Sequence, residues 1–294
     1  MSKSAILSSS IAKKYWMALT GLFLSLFLVG HLLGNLQLIF KTGEEGHRAF
    51  NEYAYFMAHN PLIKVMSYLT YFSLLFHAID GILLTFQNKK ARPQNYAHNN
   101  QASNTKLPAR YMAILGTLVL VFIATHMANF WWKAKVSSEP FPLHKVFIED
   151  PNNGGKKDAL YLTHTGNFFP VAAFEEGQQG PAQMEIKNGT EFYNKQVNLK
   201  MGEGYKDLHG LVLSFFGKTK EGFPKNDWAP FAVAFYVLSM GVLAFHLWHG
   251  FASAFQSLGL RSKKYAAGIQ TFGKAFAIIV PILFAIIPII IHFL

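Results

Sequence analysis

Apolar residues in this chain gather into long runs rather than alternating with polar ones at the period of a strand or of an amphipathic helix. Five runs stand out, 16–40, 61–86, 111–132, 231–255 and 272–293, and each is nearly free of charged residues. At about 1.5 Å per residue, roughly 20 residues cross a hydrocarbon core of about 30 Å, so each run is predicted to be a membrane-spanning helix. The first run is longer than the roughly 7–15-residue core of a signal peptide and lacks a small-residue cleavage site, so it is expected to remain as a helix. Between the third and fourth runs the pattern breaks. Segment 133–228 mixes charges, aromatics and turn formers such as Asp150-Pro151-Asn152-Asn153-Gly154-Gly155, and it is expected to form an ordered cap outside the membrane. The expected architecture is an all-α integral membrane bundle of five helices, one domain over 1–294, with 133–228 as a long external loop between helices three and four.

Composition agrees with that pattern: 51% of the 294 residues are hydrophobic and only 15% are charged. The absence of cysteine excludes disulfides, iron–sulfur ligation and covalent attachment of a c-type heme in this chain. Charge sets the expected orientation. Lys3, Lys13 and Lys14 precede the first run, Lys89, Lys90, Arg92, Lys106 and Arg110 separate the second and third, and Arg261, Lys263, Lys264 and Lys274 lie around the last connection, with no acid among them. The other face carries Lys41, Arg48 and Lys64 against Glu44, Glu45 and Glu52, while 133–228 holds equal numbers of lysines and acids. With Asp80, the one acid inside a run, the 12 basic residues of the first group leave the whole net charge of +11 on one face. The positive-inside rule places that face and the N-terminus in the cytoplasm, with the C-terminus and 133–228 outside. Topology thus accounts for the basic character, which excludes a nucleic-acid partner and leaves membrane lipid or an acidic partner subunit for the basic surface.

The runs also repeat. Met17-Ala18, Gly21, Phe27 and His31 match Met112-Ala113, Gly116, Phe122 and His126; Phe76-His77, Gly81 and Phe86-Gln87 match Phe245-His246, Gly250 and Phe255-Gln256. The chain reads as a duplicated helical hairpin with one extra helix. Both alignments place histidine on histidine. His31, His126 and His246 are each the sixteenth residue of their runs and His77 the seventeenth. Because successive helices run in opposite directions, His31 and His126 come level near one face, and His77 and His246 come level near the other.

Histidine is costly in hydrocarbon and usually functional there. Two neutral imidazoles on facing helices are the ligand set of a six-coordinate b heme, which makes these four residues candidate iron ligands for two hemes. A bare zinc or iron ion would want more ligands at each level. Gly34, Gly81 and Gly250 follow His31, His77 and His246 on the same helical face and would leave room for a flat ring, whereas the third helix has Asn129 there. His249 competes with His246, but the repeat matches His246. Glu52 and His47, just outside the first span, are candidate proton-exchanging groups for a quinone, with solvated loop positions as the plain alternative. His59, His98, His144, His164, His209 and His292 lie in loops or at span ends, where solvated roles are the default.

The chain resembles the single-chain, diheme cytochrome b subunit of succinate dehydrogenase and fumarate reductase, the b558-type membrane anchor. The resemblance is carried by Thr20-Gly21-Leu22-Phe23-Leu24 running to Gly30-His31, by Ala49-Phe50-Asn51 and Phe56-Met57 before Pro61, and by Phe76-His77 and His126. His246, followed by Gly250 and Ser257-Leu258-Gly259, completes it. It covers the five spans and the first external loop. It implies that His31 and His126 bind the distal heme iron and His77 and His246 the proximal one. It also implies a bacterial inner-membrane subunit carrying electrons between an iron–sulfur subunit and a membrane quinone, usually menaquinone. The dehydrogenase site, with FAD and iron–sulfur clusters, would belong to partner subunits at the cytoplasmic face. The direction of the reaction and dimerisation of the complex stay open. Two alternatives remain: a diheme cytochrome b of a hydrogenase, formate dehydrogenase or nitrate reductase, and a heme-free transporter whose histidines relay protons.

Overall fold

The computed structural model describes residues 9–92, 94, 103, 105–149, 157–176 and 182–293. Lys3, His98 and the turn-rich run 150–155 lie outside them. Five helices are long and apolar enough to cross a membrane: α1 (Ser10–Phe40), α3 (Pro61–Lys90), α4 (Met112–Lys135), α6 (Ala229–Ser257) and α7 (Ala266–Phe293). The chain is a multi-pass membrane protein. Within hydrocarbon the backbone must satisfy its own hydrogen bonds, which is why apolar runs of this length become helices. The helices extend past the apolar runs at several ends; α1 starts at Ser10 and α3 ends on Lys89 and Lys90. Those added turns are polar or basic. They continue the helix through the headgroup region, where long basic side chains reach water, and the two terminal lysines complement the helix dipole.

The chain separates into two compact units. The membrane unit comprises Met1–Asn35, Pro61–His126 and Phe231–Leu294. Its interior is a cluster of Met240, Leu243 and Leu247 from α6 and Ala277 from α7, with Leu28 of α1 and Phe122 of α4 packed against it. Outward, large apolar side chains stay uncovered, among them Leu26, Tyr68, Phe86 and Leu238. Such a surface is stable only against lipid. α7 runs unbroken through Pro281 and Pro288, both buried.

The second unit comprises Leu36–Asn60 and Met127–Pro230. Among the described residues it contains helix α2 (Gly43–His59), the short helix α5 (Leu208–Phe215) and six strands. Strands β1 (Lys145–Glu149), β2 (Lys157–Leu162) and β3 (Phe168–Pro170) form one antiparallel sheet, and β4 (Met184–Lys187), β5 (Glu191–Asn194) and β6 (Leu199–Glu203) form another. The all-α expectation thus describes the spans, while segment 133–228 also carries short β-strands in two small sheets. Its strands are only three to six residues long, and their apolar alternation is too brief to stand out in the sequence. One local signal was present: Asn188-Gly189 between two such runs. Both residues have positive φ, 51° and 78°, at the centre of the tight turn that brings Lys187 opposite Glu191.

Phe192 of β5 is fully buried, and the rings of Phe174, Tyr161 and Phe169 surround it at 4.9, 5.5 and 5.7 Å. Leu143 and Met184 complete this small core. Phe192→Ala is expected to cost about 3–5 kcal/mol. It should make 133–228 sensitive to limited proteolysis at temperatures where the wild-type segment resists.

Candidate functional site

The membrane unit brings together the two histidine pairs. The rings of His31 on α1 and His126 on α4 have centres 5.8 Å apart and lie nearly perpendicular, at 87°. Those of His77 on α3 and His246 on α6 are 6.2 Å apart at 68°. Two imidazole nitrogens each about 2 Å from one metal put their ring centres about 6 Å apart. Both separations match that span. The ring that faces His77 is His246, while His249, three residues on, is half-buried.

Surrounding contacts follow the internal repeat. Phe27 stacks on His31 with centres 5.3 Å apart, and Phe122, its counterpart, lies 5.7 Å from His126. Each phenyl ring sits one helical turn before its histidine, where side chains of one helix face meet. A methyl group on Gly21 of α1 would stand 3.1 Å from His77 Cε1; on Gly116 of α4 it would stand 3.6 Å from His246 Cε1. These two glycines, equivalent in the repeat, let the imidazoles lie against a neighbouring helix backbone. The glycines expected to make room behave differently. A methyl group on Gly250 would meet nothing within 4 Å, and one on Gly81 only Met17 Cε at 3.9 Å, so they border open space rather than a close neighbour. Gly34 is buried.

His77 is oriented by α1. Its Nδ1 lies 3.2 Å from the Met17 carbonyl and 3.3 Å from Thr20 Oγ1. The Thr20 hydroxyl donates to Trp16 O at 2.7 Å, so both groups can only accept from the ring. Nδ1 therefore carries the proton and Nε2 the lone pair, the tautomer a metal ligand needs. His31 has a different environment. The Asn35 amide, which donates to the His31 carbonyl at 2.7 Å, stands 3.5 Å from His31 Nδ1, and Phe284 of α7 packs with its ring centre 5.7 Å away. Just past His126, α4 widens into a π-helical turn over Ala128–Trp132. That turn includes Asn129, which stands where the other helices have glycine; such turns concentrate at functional sites.

The quinone candidates lie in the second unit. Glu52 pairs with Arg48 one turn back on α2 at 2.6 Å, and both are at least partly exposed. His47 Nε2 donates to Asp207 Oδ1 at 2.6 Å. A solvated role, expected for His47 as the alternative and for His144 and His209 by default, does not hold. His144 is 1% exposed and His209 6%, because the inserted segment folds over them. Burial pushes both imidazoles down to about 4. Burial alone would raise the Asp207 carboxyl, but hydrogen bonds from His47, Asn51 and the Gly210 N–H outweigh it and hold it at about 2. His59 and His164 keep surface positions, stacked on Tyr55 with ring centres 3.9 and 5.4 Å away.

Comparison with family models, curated proteins and solved structures finds no match to this chain, which leaves the geometry of the paired histidines to carry the functional reading.

Proposed function

We propose that the chain is the membrane-anchor cytochrome b subunit of a succinate:quinone oxidoreductase or quinol:fumarate reductase. The observation that carries this reading is the double pairing of histidines from alternating spans, with ring centres 5.8 and 6.2 Å apart. His31 and His126 would hold the iron of a distal b heme, and His77 and His246 that of a proximal one. Two such hemes would supply one-electron transfer between an iron–sulfur subunit and membrane menaquinone. No dehydrogenase site is assigned to this chain; FAD and the iron–sulfur clusters belong to partner subunits docked on the basic cytoplasmic face of a bacterial inner membrane.

The residues of the chain do the positioning. The Met17 carbonyl and Thr20 fix the His77 tautomer, which keeps Nε2 available and raises its basicity as a ligand. Phe27 and Phe122 brace the rings of the other pair. Gly21 and Gly116 allow the second pair to recede toward α1 and α4. Glu52, in contact with Arg48, is the candidate group for exchanging protons with quinone.

His31→Ala and His126→Ala are each expected to remove one heme, the same one, and His77→Ala and His246→Ala the other. Reduced-minus-oxidised spectra and redox titration of the purified protein read this directly. Unchanged heme in all four variants would end the proposal, and a wild type without the sharp α band of a b heme would favour a proton-relaying transporter. Co-purification with a molybdenum or nickel subunit instead of a flavoprotein would move the chain to another respiratory complex.

Gly21→Leu is expected to displace His77, lowering the heme held by that pair or shifting its midpoint potential. Gly30→Ala, where a methyl group meets nothing within 4 Å, should leave both centres unchanged. Glu52→Gln should slow quinone turnover about tenfold or more with heme content intact. Undiminished turnover would remove Glu52 from that role.

A further inference from the structure

A second histidine cluster lies in the strand-bearing unit, and the paired histidines of the spans do not account for it. One ligand atom each from His47, His144 and Asp207 lie within 4.8 Å of one another. The His47 ring centre is 4.2 Å from that of His144 and 4.7 Å from that of His209. His144, Asp207 and His209 are 1%, 6% and 6% exposed. Asn51, also 1% exposed, stands among them. Its amide nitrogen donates to Asp207 Oδ1 at 3.0 Å and lies 3.2 Å from His144 Nδ1, and its oxygen accepts from the His209 N–H at 2.9 Å.

The short contact between His47 and Asp207 satisfies those two side chains. It does nothing for His144 Nε2 and His209 Nδ1, which are buried and make no hydrogen bond. Two unsatisfied imidazole nitrogens in one interior cluster are unusual, because buried polar groups nearly always find partners. A cation among the four side chains would supply one.

We propose that His47, His144 and Asp207 bind one divalent transition-metal ion of the zinc type, with His209, whose ring centre lies 4.7 Å from that of His47, turning in as the fourth ligand. Three imidazoles and one carboxylate form a complete tetrahedral set, which is the closed pattern of a structural rather than a catalytic site. Calcium and magnesium are disfavoured because they require oxygen ligands. Binding needs the lone pairs of His47 Nε2 and His144 Nε2, so each ring moves its proton to Nδ1, and the Asn51 amide, now 3.2 Å from His144 Nδ1, turns from that ring while still donating to Asp207 Oδ1. Asn51 then acts as a positioning residue that aligns the Asp207 carboxylate and the start of α5. The site joins α2, the residue just before β1 and the N-terminus of α5, three stretches far apart in sequence. In a chain without cysteine, that staple does the work of a disulfide for this unit.

The test uses the full chain in detergent, stripped with a chelator, reloaded with Zn²⁺ alone and desalted. Wild type is expected to retain about one zinc per chain, and zinc-edge X-ray absorption should show nitrogen and oxygen at about 2.0 Å with imidazole scattering and no sulfur. Asp207→Asn, which preserves the helix cap, and His209→Gln should each weaken zinc binding about tenfold or more. His59→Gln, an exposed imidazole on α2, should leave it unchanged. Circular dichroism of the strands separates metal loss from misfolding. If both variants fail to fold, the number of imidazoles in the wild-type absorption spectrum decides, two or three supporting the site and one or none refuting it. Wild type that retains no zinc, or folded variants that retain as much as wild type, would show a hydrogen-bonded core and nothing more.

Discussion

An imidazole set in hydrocarbon can bond only to what the protein places beside it. Water is absent, and a polar group left unsatisfied there is strongly disfavoured. This constraint organises the membrane unit. Four histidines at equivalent depths on four helices meet as two pairs, and the side chains around each pair brace, orient or make way for a ring. The apolar residues that cover the outside of the same helices are uncommitted by comparison, since lipid accepts any of them.

The repeat gives the two halves the same scaffold but leaves the pairs distinct. On one level, phenyl rings one turn before His31 and His126 hold the imidazoles in place. On the other, the imidazoles of His77 and His246 sit against the backbones of α1 and α4, where Gly21 and Gly116 have no side chain to obstruct them. His77 also gains hydrogen-bond acceptors from α1, which His31 lacks from any neighbouring helix. Differences of this kind are how a protein gives two chemically identical centres different basicity and different potentials.

The strand-bearing unit solves a different problem. It has a small core around Phe192 and an interior cluster of charged and titratable side chains beside it, where Asp207 caps α5 and accepts from His47, Asn51 and Gly210. A core this small gains much from any polar network that ties distant stretches together. The same burial that makes such a network rigid also leaves His144 Nε2 and His209 Nδ1 without a hydrogen bond.

The spans, their number and the four paired histidines were legible in the chain itself, because a bilayer imposes a length and an apolar character that one dimension can display. Equal depth of His31 and His126, or of His77 and His246, is likewise a matter of counting along helices of fixed rise. The β-structure of 133–228 was not legible, since strands of three to six residues carry too few alternations and are stabilised by cross-strand partners the sequence does not name. The burial of His144 and His209 was equally hidden. His47, His144 and Asp207 become neighbours only when stretches separated by about a hundred and about sixty residues fold together. Gly21 and Gly116 were visible as repeated residues, but their use against His77 and His246 depends on how one helix is rotated toward the next. Rotation and long-range contact are set by packing in three dimensions, and packing energy belongs to pairs of residues rather than to positions along a chain.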